Sequence, residues 1–527
     1  MPTQNETSRK ADDRKPPAPG SRSDEGENGT GDIRRGLHTA VSYSTGPGVC
    51  SHSSSTGRGL EMRYHGAAEI RGIDCPRSRY YDSGRFGRLF PSLPPLNSNR
   101  ESLASLGAAG GLMDPNDPPP PAQSAENLDN PVKLPAGFTF LGQFIDHDIT
   151  FDPTSSLERQ VDPEAVSNFR TPTLELDNVY GAGPGASPHL YQRGDSAKLL
   201  IGLDTGGDPN DLPRNPEDVA LIGDPRNDEN LIVSQLHVAF LKFHNAMVDR
   251  VRGEGVVTGD VFHEAQRRVR WHYQWMIVHE FLPHTVGEET TDKILTKDRK
   301  LYNWRHEPFI PVEFSVAAYR FGHSQVRPGY RISDGFAAPI FAPTPGAQPN
   351  GLPNDLSGGR RIQPAQVIDW RGFFKIDGSA PQISKAIDTK LSSPLLNLPF
   401  PSGTPEDPKS LAVRNLLRHL TFGLPSGQAV ARAMCIEPLG RDELSDLRDL
   451  GLDRQTPLWF YILKESELRA EGAHLGPVGG IIVGEVLRGL LEGDRLSYLR
   501  ADPQWTPDLG SGGEFTMADL LKFAGVA

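Results

Sequence analysis

Cysteine is scarce in this chain. Cys50, Cys75 and Cys435 are the only three in 527 residues. That excludes a disulfide framework and a cysteine-built zinc site. Long apolar runs are also missing. None reaches the ~20 residues a membrane-spanning helix needs. The most apolar stretch, Gly479 to Leu491, carries Glu485 and Arg488 and reads as a buried helix. Residues 1–20 hold no apolar segment, so no secretory signal peptide is expected. The expected location is the cytoplasm, or outside the cell by a non-standard route. Basic charge is not in excess. Lys and Arg total 55 against 67 Asp and Glu, a net charge of −12. That gives no electrostatic reason to expect a nucleic-acid partner.

Glycine (55) and proline (47) are plentiful, which predicts long ordered loops between helices and few strands. Residues 1–58 are rich in Ser, Gly, Pro and charge and poor in large aliphatics. Such a segment cannot bury enough surface to offset ordering entropy, so it is expected to be a disordered extension. Residues 59–527 are then one mainly α domain. Residues 114–134, 204–218 and 334–366 read as loops. Apolar residues at helical spacing predict helices over 138–148, 230–251 (Ile232, Leu236, Phe240, Phe243, Met247) and 261–281. Shorter helices are expected at 411–419, 429–434, 444–450, 458–470, 478–491 and 517–523. No internal repeat is present.

Chemistry concentrates in three strings. Gly142 to Asp148 (GQFIDHD) sets His147 between two carboxylates, and Arg226 to Glu229 (RNDE) sets an arginine one turn before another. Heterolysis of hydrogen peroxide needs a base that takes a proton from one oxygen and returns it to the departing one. A neutral imidazole does both. A fixed guanidinium stabilises the negative charge that develops on the separating oxygen. His147 and Arg226 are the candidates. A lone histidine or arginine is more often a surface or satisfied core group; the flanking carboxylates shift that balance.

Asp148, beside an apolar stretch, is costly to bury without compensation. Thr171, Thr173, Glu175 and Asp177 alternate along TPTLELD, which in an extended loop turns them to one side. Hard oxygens so arranged suit calcium, although a solvated turn is the ordinary reading of that segment alone. In the third string, YRFGH (319–323), His323 follows the apolar stretch Phe314 to Ala318. A buried neutral imidazole there could ligate a haem iron. Arg320 and Arg418 would pair with haem propionates, against the plain alternative of surface helix charge.

Together the strings resemble the peroxidase–cyclooxygenase superfamily, the animal-type haem peroxidases, and within it the bacterial branch. The likeness runs from about Arg85 to the C-terminus. It includes GQFIDHD (142–148), RTPTLELDNVYG (170–181), GDPRNDENLIVSQLHVAFLKFHN (223–245), YRFGHS (319–324), IDWRGFF (368–374), GLPSGQ (423–428) and LGPVGG (475–480). Each motif alone is weak; seven in the family's order are specific.

The resemblance implies a mostly helical domain around haem b. It makes His147 the distal histidine, Gln143 the distal glutamine and Arg226 the catalytic arginine. His323 becomes the iron ligand, and Asn415 offers its side-chain oxygen to the other ring nitrogen. Asp146 and Glu229 match the carboxylates that form ester links to the haem. Asn230 follows Glu229, so no methionine sulfonium link is expected. Asp148, Thr171, Thr173, Glu175 and Asp177 match the calcium site. Two positions depart: Glu175 stands where aspartate is commoner, and His419 where glycine is. The activity implied is peroxidase, with hydrogen peroxide reduced through a ferryl intermediate and a phenolic or organic donor, or a (pseudo)halide, oxidised. A fatty-acid dioxygenase and a non-catalytic haem- or calcium-binding scaffold are the alternatives. The dioxygenase pattern needs a tyrosine three residues before the iron ligand; here that residue is Arg320.

Overall fold

Helix α1 (Arg100–Gly107) is the first helix among the described residues of the computed structural model, with Asn99 capping it by accepting the Ser102 N–H at 2.6 Å. The structure describes residues 86–117, 133–151, 168, 170–297, 299–304, 307–341, 355–399, 403–404 and 407–527. The extension expected over 1–58 and the expected domain start at 59 lie outside the described residues.

Helix α2 (Gly137–Ile149) carries the first string. Its apolar face, Phe138, Leu141, Phe144 and Ile145, is buried. Burial of each of these large side chains is worth about 1.5–3 kcal/mol. Gly137 starts the helix where nothing larger fits. A Cβ there would meet the Phe374 ring at 2.4 Å, while the Gly137 N–H bonds the Phe373 carbonyl at 2.9 Å. At the other end Thr150 leaves helical geometry and returns its hydroxyl to the Asp146 carbonyl at 3.0 Å.

Helix α3 (Leu231–Gly253) is capped by Asn230, whose side chain accepts the Val233 N–H at 2.9 Å. Arg250 and Arg252 in its last turn complement the helix dipole. It packs against α2, with Phe144 stacked on Phe240 at 4.6 Å, and against α4 (Val261–Met276). The helix expected over 261–281 is continuous, but its last five residues, Ile277–Phe281, widen into a π turn.

The segment carrying His323 changes pitch twice. Glu313–Ala317 is a π turn, Ala318–Phe321 a 3-10 turn, and Gly322–Gln325 (α5) an α turn. Such irregular turns recur at functional sites because they re-aim individual side chains. The buried Glu313 carboxylate anchors the start by accepting the Leu89 and Phe90 N–H groups at 3.0 and 3.2 Å. Helix α6 (Leu411–Thr421) packs on α1 and α7 (Leu458–Ala470), and α7 packs on α8 (Pro477–Gly493). Glu465 of α7 accepts the Val478 N–H at 2.9 Å, satisfying a donor at the start of α8. Helix α9 (Met517–Phe523) begins at a Thr516/Asp519 capping box.

The fold is mainly α. The described residues hold three two-stranded sheets: β1 (Phe86–Gly87) parallel to β4 (Ile310–Pro311), β2 (Tyr191–Gln192) antiparallel to β3 (Asp195–Leu199), and β5 (Gly329–Ser333) antiparallel to β6 (Phe336–Pro339). The last pair corrects the loop expected from 334. Asp334-Gly335, a common hairpin connection, closes β5 onto β6. Residues 342–354 of that expected loop lie outside the described ones. The helix expected at 444–450 is a 3-10 turn over Ser445–Leu450. Residues 172–175 are a run of bends rather than extended chain, and Leu176 is left-handed at φ 60°, so strict alternation does not hold there.

His419, the departure on α6, has a structural task. Its Nε2 accepts the Leu458 N–H at 2.9 Å, at the first residue of α7. Burial pushes the imidazole pKa down to about 3, which keeps the acceptor lone pair free of a proton. His419→Ala is expected to lower unfolding stability by about 3 kcal/mol through a lost acceptor and a cavity. His419→Gln should recover part of the loss, since it restores an acceptor. Denaturant unfolding checks both.

Candidate active site

His147 sits in the last turn of α2, buried, with Nδ1 2.8 Å from the Asn227 amide oxygen. Burial first, then the Arg226 guanidinium, pushes its pKa down to about 4. It is therefore neutral and basic at ordinary pH.

Arg226 lies in the 3-10 turn Pro225–Asp228, capped by Asp224, whose Oδ1 accepts the Arg226 N–H at 2.9 Å. The guanidinium is held on several sides. It donates to Asp224 at 3.1 and 2.8 Å, to the His147 carbonyl at 3.3 Å and to the Thr150 carbonyl, and stacks 4.8 Å over the Phe151 ring. Its Nη1 lies 3.9 Å from Asp146. Burial alone would raise the Asp224 carboxyl, but Arg226 and Arg170 outweigh it and bring the pKa to about 2. Asp224 stays charged and fixes Arg226 as a preorganised cation.

Glu229 ends the same string. Gly358 crosses so close that a Cβ on it would lie 1.9 Å from the Asp228 carbonyl. The Gly358 and Gly359 N–H groups donate to the Glu229 and Asp228 carbonyls at 3.0 and 2.8 Å. Asp228 in turn pairs with Arg214 at 2.7 Å, and Arg214 with Asp211 at 3.0 Å. The polar segment 204–218 is thus the buttress of the RNDE turn. The Glu229 side chain is exposed at the lip of the site, yet the protein around its carboxyl raises the pKa to about 7. Gln143 is on α2, where its amide oxygen accepts from Asn230 at 3.2 Å. Asn230 therefore caps α3 and holds Gln143.

On the other side, α2 packs directly on α5, which carries His323. Arg320 senses the charges of both Asp146 and Arg226, so the two sides share one electrostatic environment. Burial and Arg320 push the His323 pKa down to about 3. Asn415 of α6 meets His323 Nδ1 at 2.7 Å. The expected pairing is present, with the amide turned round. Its nitrogen faces the imidazole, and its oxygen accepts from Arg320 at 3.0 Å. The reason is chemical: a guanidinium has only donors and claims the acceptor. Arg320 also donates to the Ser315 carbonyl at 3.0 Å. Arg418, half-buried, lies three residues after Asn415 and so on the same side of α6. Trp459, which the sequence did not single out, donates its indole N–H to the Arg320 carbonyl at 3.2 Å and stands 6.5 Å from the His323 ring.

The expected calcium residues converge in part. Asp148 is fully buried and accepts the Asp177 N–H at 3.1 Å and the Tyr273 hydroxyl at 3.2 Å. The Thr173 hydroxyl meets Glu175 at 2.9 Å, while the Thr171 carbonyl accepts the Thr173 N–H at 2.7 Å. Burial, then the Asp177 charge, raises the Asp148 carboxyl strongly; Asp177 is raised too, first by burial. Yet among the described residues no three His, Cys, Asp or Glu side chains are arranged to hold a metal ion. Arg170 lies 3.3 Å from Asp177, and Arg270 3.8 Å from Glu175.

Two recesses open elsewhere on the surface. One of about 390 Å³ is lined by Arg299, Trp304, Arg488 and Glu492, the other of about 330 Å³ by Arg331, Asp334, Asp369 and Arg371. Neither touches an imidazole.

Residues 154–435, more than half of the chain, match the animal haem peroxidase family, and the chain belongs to that family. His147 lies just ahead of the matched span. Curated relatives include a peroxidase-like protein of Margaritifera margaritifera, 27% identical over 391 residues, 65% of this chain and 46% of that protein. A peroxidasin homolog of Caenorhabditis briggsae is 25% identical over 398 residues, 67% of this chain and 29% of that one. The chain spans less than half the length of either relative. Among solved structures, peroxidase A from Dictyostelium discoideum superposes with a TM-score of 0.54 at 17% identity, covering 83% of this chain and 92% of that one. A fatty acid alpha-dioxygenase from Oryza sativa with palmitic acid superposes at 0.51 and 15% identity, covering 83% and 75%. These likenesses show the fold, and family membership implies haem binding.

Proposed function

We propose that the chain is a haem-dependent peroxidase, an oxidoreductase that reduces hydrogen peroxide and oxidises a phenolic or organic donor or a (pseudo)halide. One observation carries this reading. A buried, neutral imidazole is anchored through Nδ1, beside a guanidinium fixed by a fully buried carboxylate. Anchoring Nδ1 leaves His147 Nε2 to take a proton from one peroxide oxygen and return it to the other. Arg226 stabilises the charge that builds on the departing oxygen. Gln143, tied to Asn230, orders the same space.

The residues suit a haem. His323 is held at Nδ1 by Asn415, and Nε2 becomes the nitrogen available to iron once Asn415 presents its oxygen and the ring proton sits on Nδ1. Arg320 and Arg418 would hold the propionates, and Asp146 and Glu229 would form the ester links. Bound haem would supply the iron at which peroxide is reduced and the oxidising equivalents passed to the donor. The oxygenase alternative needs a radical-forming tyrosine three residues before His323, where Arg320 stands. The adjacent Tyr319 is enclosed by Phe314, stacked at 4.7 Å, and Phe321, at 5.9 Å. The test is the absorption spectrum of haem-loaded protein through one equivalent of peroxide and then a phenol or halide. A fast change reversed by the donor is expected. A spectrum indifferent to peroxide, with oxygen uptake on adding a fatty acid, would replace this reading with the oxygenase.

Calcium at Asp148, Thr171, Thr173, Glu175 and Asp177 is part of the proposal. Crowding of the carboxylates of Asp148, Glu175 and Asp177 is a cost a hard cation would remove. Arg170 would keep its partner Asp224, 2.7 Å away. Calcium at a hundred times its Kd should stabilise the fold by about 2.7 kcal/mol. The rise in Tm should vanish in Asp148→Asn. A Tm indifferent to calcium and chelator would remove the site.

A further inference from the structure

Asn227 touches a histidine ring nitrogen at each end of its amide. One is His147 Nδ1 at 2.8 Å from Oδ1; the other is His237 Nδ1 at 2.9 Å from Nδ2. His237 is on α3, fully buried, and its Nε2 has no hydrogen-bond partner. An amide offers an acceptor at one end and a donor at the other. The two imidazoles it joins must therefore carry their protons on opposite nitrogens. If His147 is protonated at Nδ1, His237 is bare at Nδ1 and protonated at Nε2. If the amide turns round, both tautomers invert, and His147 Nε2 then carries a hydrogen and cannot act as a base.

We propose that Asn227 and His237 are positioning residues that hold His147 with Nδ1 protonated and Nε2 bare through a His147–Asn227–His237 relay. One feature gives the direction and two hold the partners in place. The amide oxygen faces His147. His237 packs against Phe144, with ring centroids 6.1 Å apart in a T-shaped contact. Asn227 itself is fixed within a turn capped by Asp224, its own N–H donating to the Asp224 carbonyl at 3.1 Å. Histidines whose second nitrogen is hydrogen-bonded have their tautomer set by that bond. The relay adds a third group, so the state of a residue remote from peroxide decides which nitrogen of His147 is basic. Its importance for catalysis rests on the acid–base role proposed above for His147; the tautomers themselves do not.

The test begins with full-length, haem-free protein labelled with ¹⁵N-histidine, read by long-range proton–nitrogen correlation. Loss of a signal in His147→Gln and in His237→Gln assigns the resonances. Wild type should show Nδ1–H at His147 and Nε2–H at His237. In Asn227→Asp both carboxylate oxygens accept, so His147 should keep its tautomer while His237 moves its proton to Nδ1. A merely space-filling asparagine would not predict that inversion. His237→Phe, without an acceptor for the amide, should give His147 a mixture of tautomers, and His237→Gln should restore the single one. Haem-loaded His237→Phe should then react with peroxide about tenfold more slowly, with His237→Gln near wild type. A wild-type His147 protonated at Nε2, or a His237 tautomer unmoved by Asn227→Asp, overturns the relay. Loaded wild type inert to peroxide overturns the proposed function instead, and leaves the tautomer result standing.

Discussion

His147→Ala is expected to leave haem bound and to slow the reaction with hydrogen peroxide by about two to four orders of magnitude, the range that a positioned acid–base group contributes. Haem retention follows from position. His147 is on α2, whereas the proposed iron ligand is on α5 and its partner on α6. The loss of rate follows from Arg226 having no capacity to accept a proton: a guanidinium polarises the oxygen–oxygen bond but remains protonated. The pH profile separates this role from a steric one. The wild-type imidazole is pushed down to about 4 by burial and by Arg226. A proton thus competes for Nε2 only at low pH, and the rate should hold constant above about pH 5 and fall through 4, not through the ordinary 6.5. The same shift has a stability consequence. The unfolded chain binds this proton between 6.5 and 4 and the folded one does not, so the stability His147 contributes above 6.5 is lost as pH falls through that window. Stopped-flow mixing with peroxide measures the rate. A normal rate in His147→Ala would remove His147 from the mechanism.

The long helices were legible because one signal, apolar periodicity, also decides their burial. Leu458–Ala470 and Met517–Phe523 match their expected bounds, and α3 starts at the cap that Asn230 provides. The candidate site was legible as residue types and order, not as geometry. Nothing in the spacing of RNDE distinguishes Asn227 from a spacer, because its two partners are 80 positions before it and 10 after. His237, inside an apolar helical stripe, reads as an ordinary core histidine. Arg214 and Asp211 lie in a segment whose composition is that of a loop, and only their pairing with Asp228 makes it a buttress. The hairpin at 329–339 carried its Asp-Gly signal, but surrounding proline and glycine masked it. The Asn415 amide turned round because Arg320, three residues from His323 in sequence, competes for its oxygen through a contact spanning 95 positions. Pairings over such distances are set by packing.

His323→Ala should have the larger structural consequence: loss of the iron ligand, with a displaced Soret band and weakened haem retention. Burial and Arg320 hold this imidazole deprotonated, its pKa pushed down to about 3. A bare nitrogen is the form that ligates iron. For Nε2 to be that nitrogen, the ring proton must sit on Nδ1, which then needs an acceptor. Asn415 can supply one only by presenting its oxygen, now bonded to Arg320 at 3.0 Å. Haem loading should therefore free Arg320 from Asn415, and a propionate is an acceptor better matched to its charge. Two variants separate the ligand from its support. Asn415→Leu should retain haem but alter the iron's reduction potential, because the second ring nitrogen loses its partner. His323→Ala should lose the native spectrum, with free imidazole restoring part of it by filling the space the side chain leaves. Absorption spectra of both variants, with and without imidazole, decide the matter. An unchanged Soret band in His323→Ala would reassign the iron ligand.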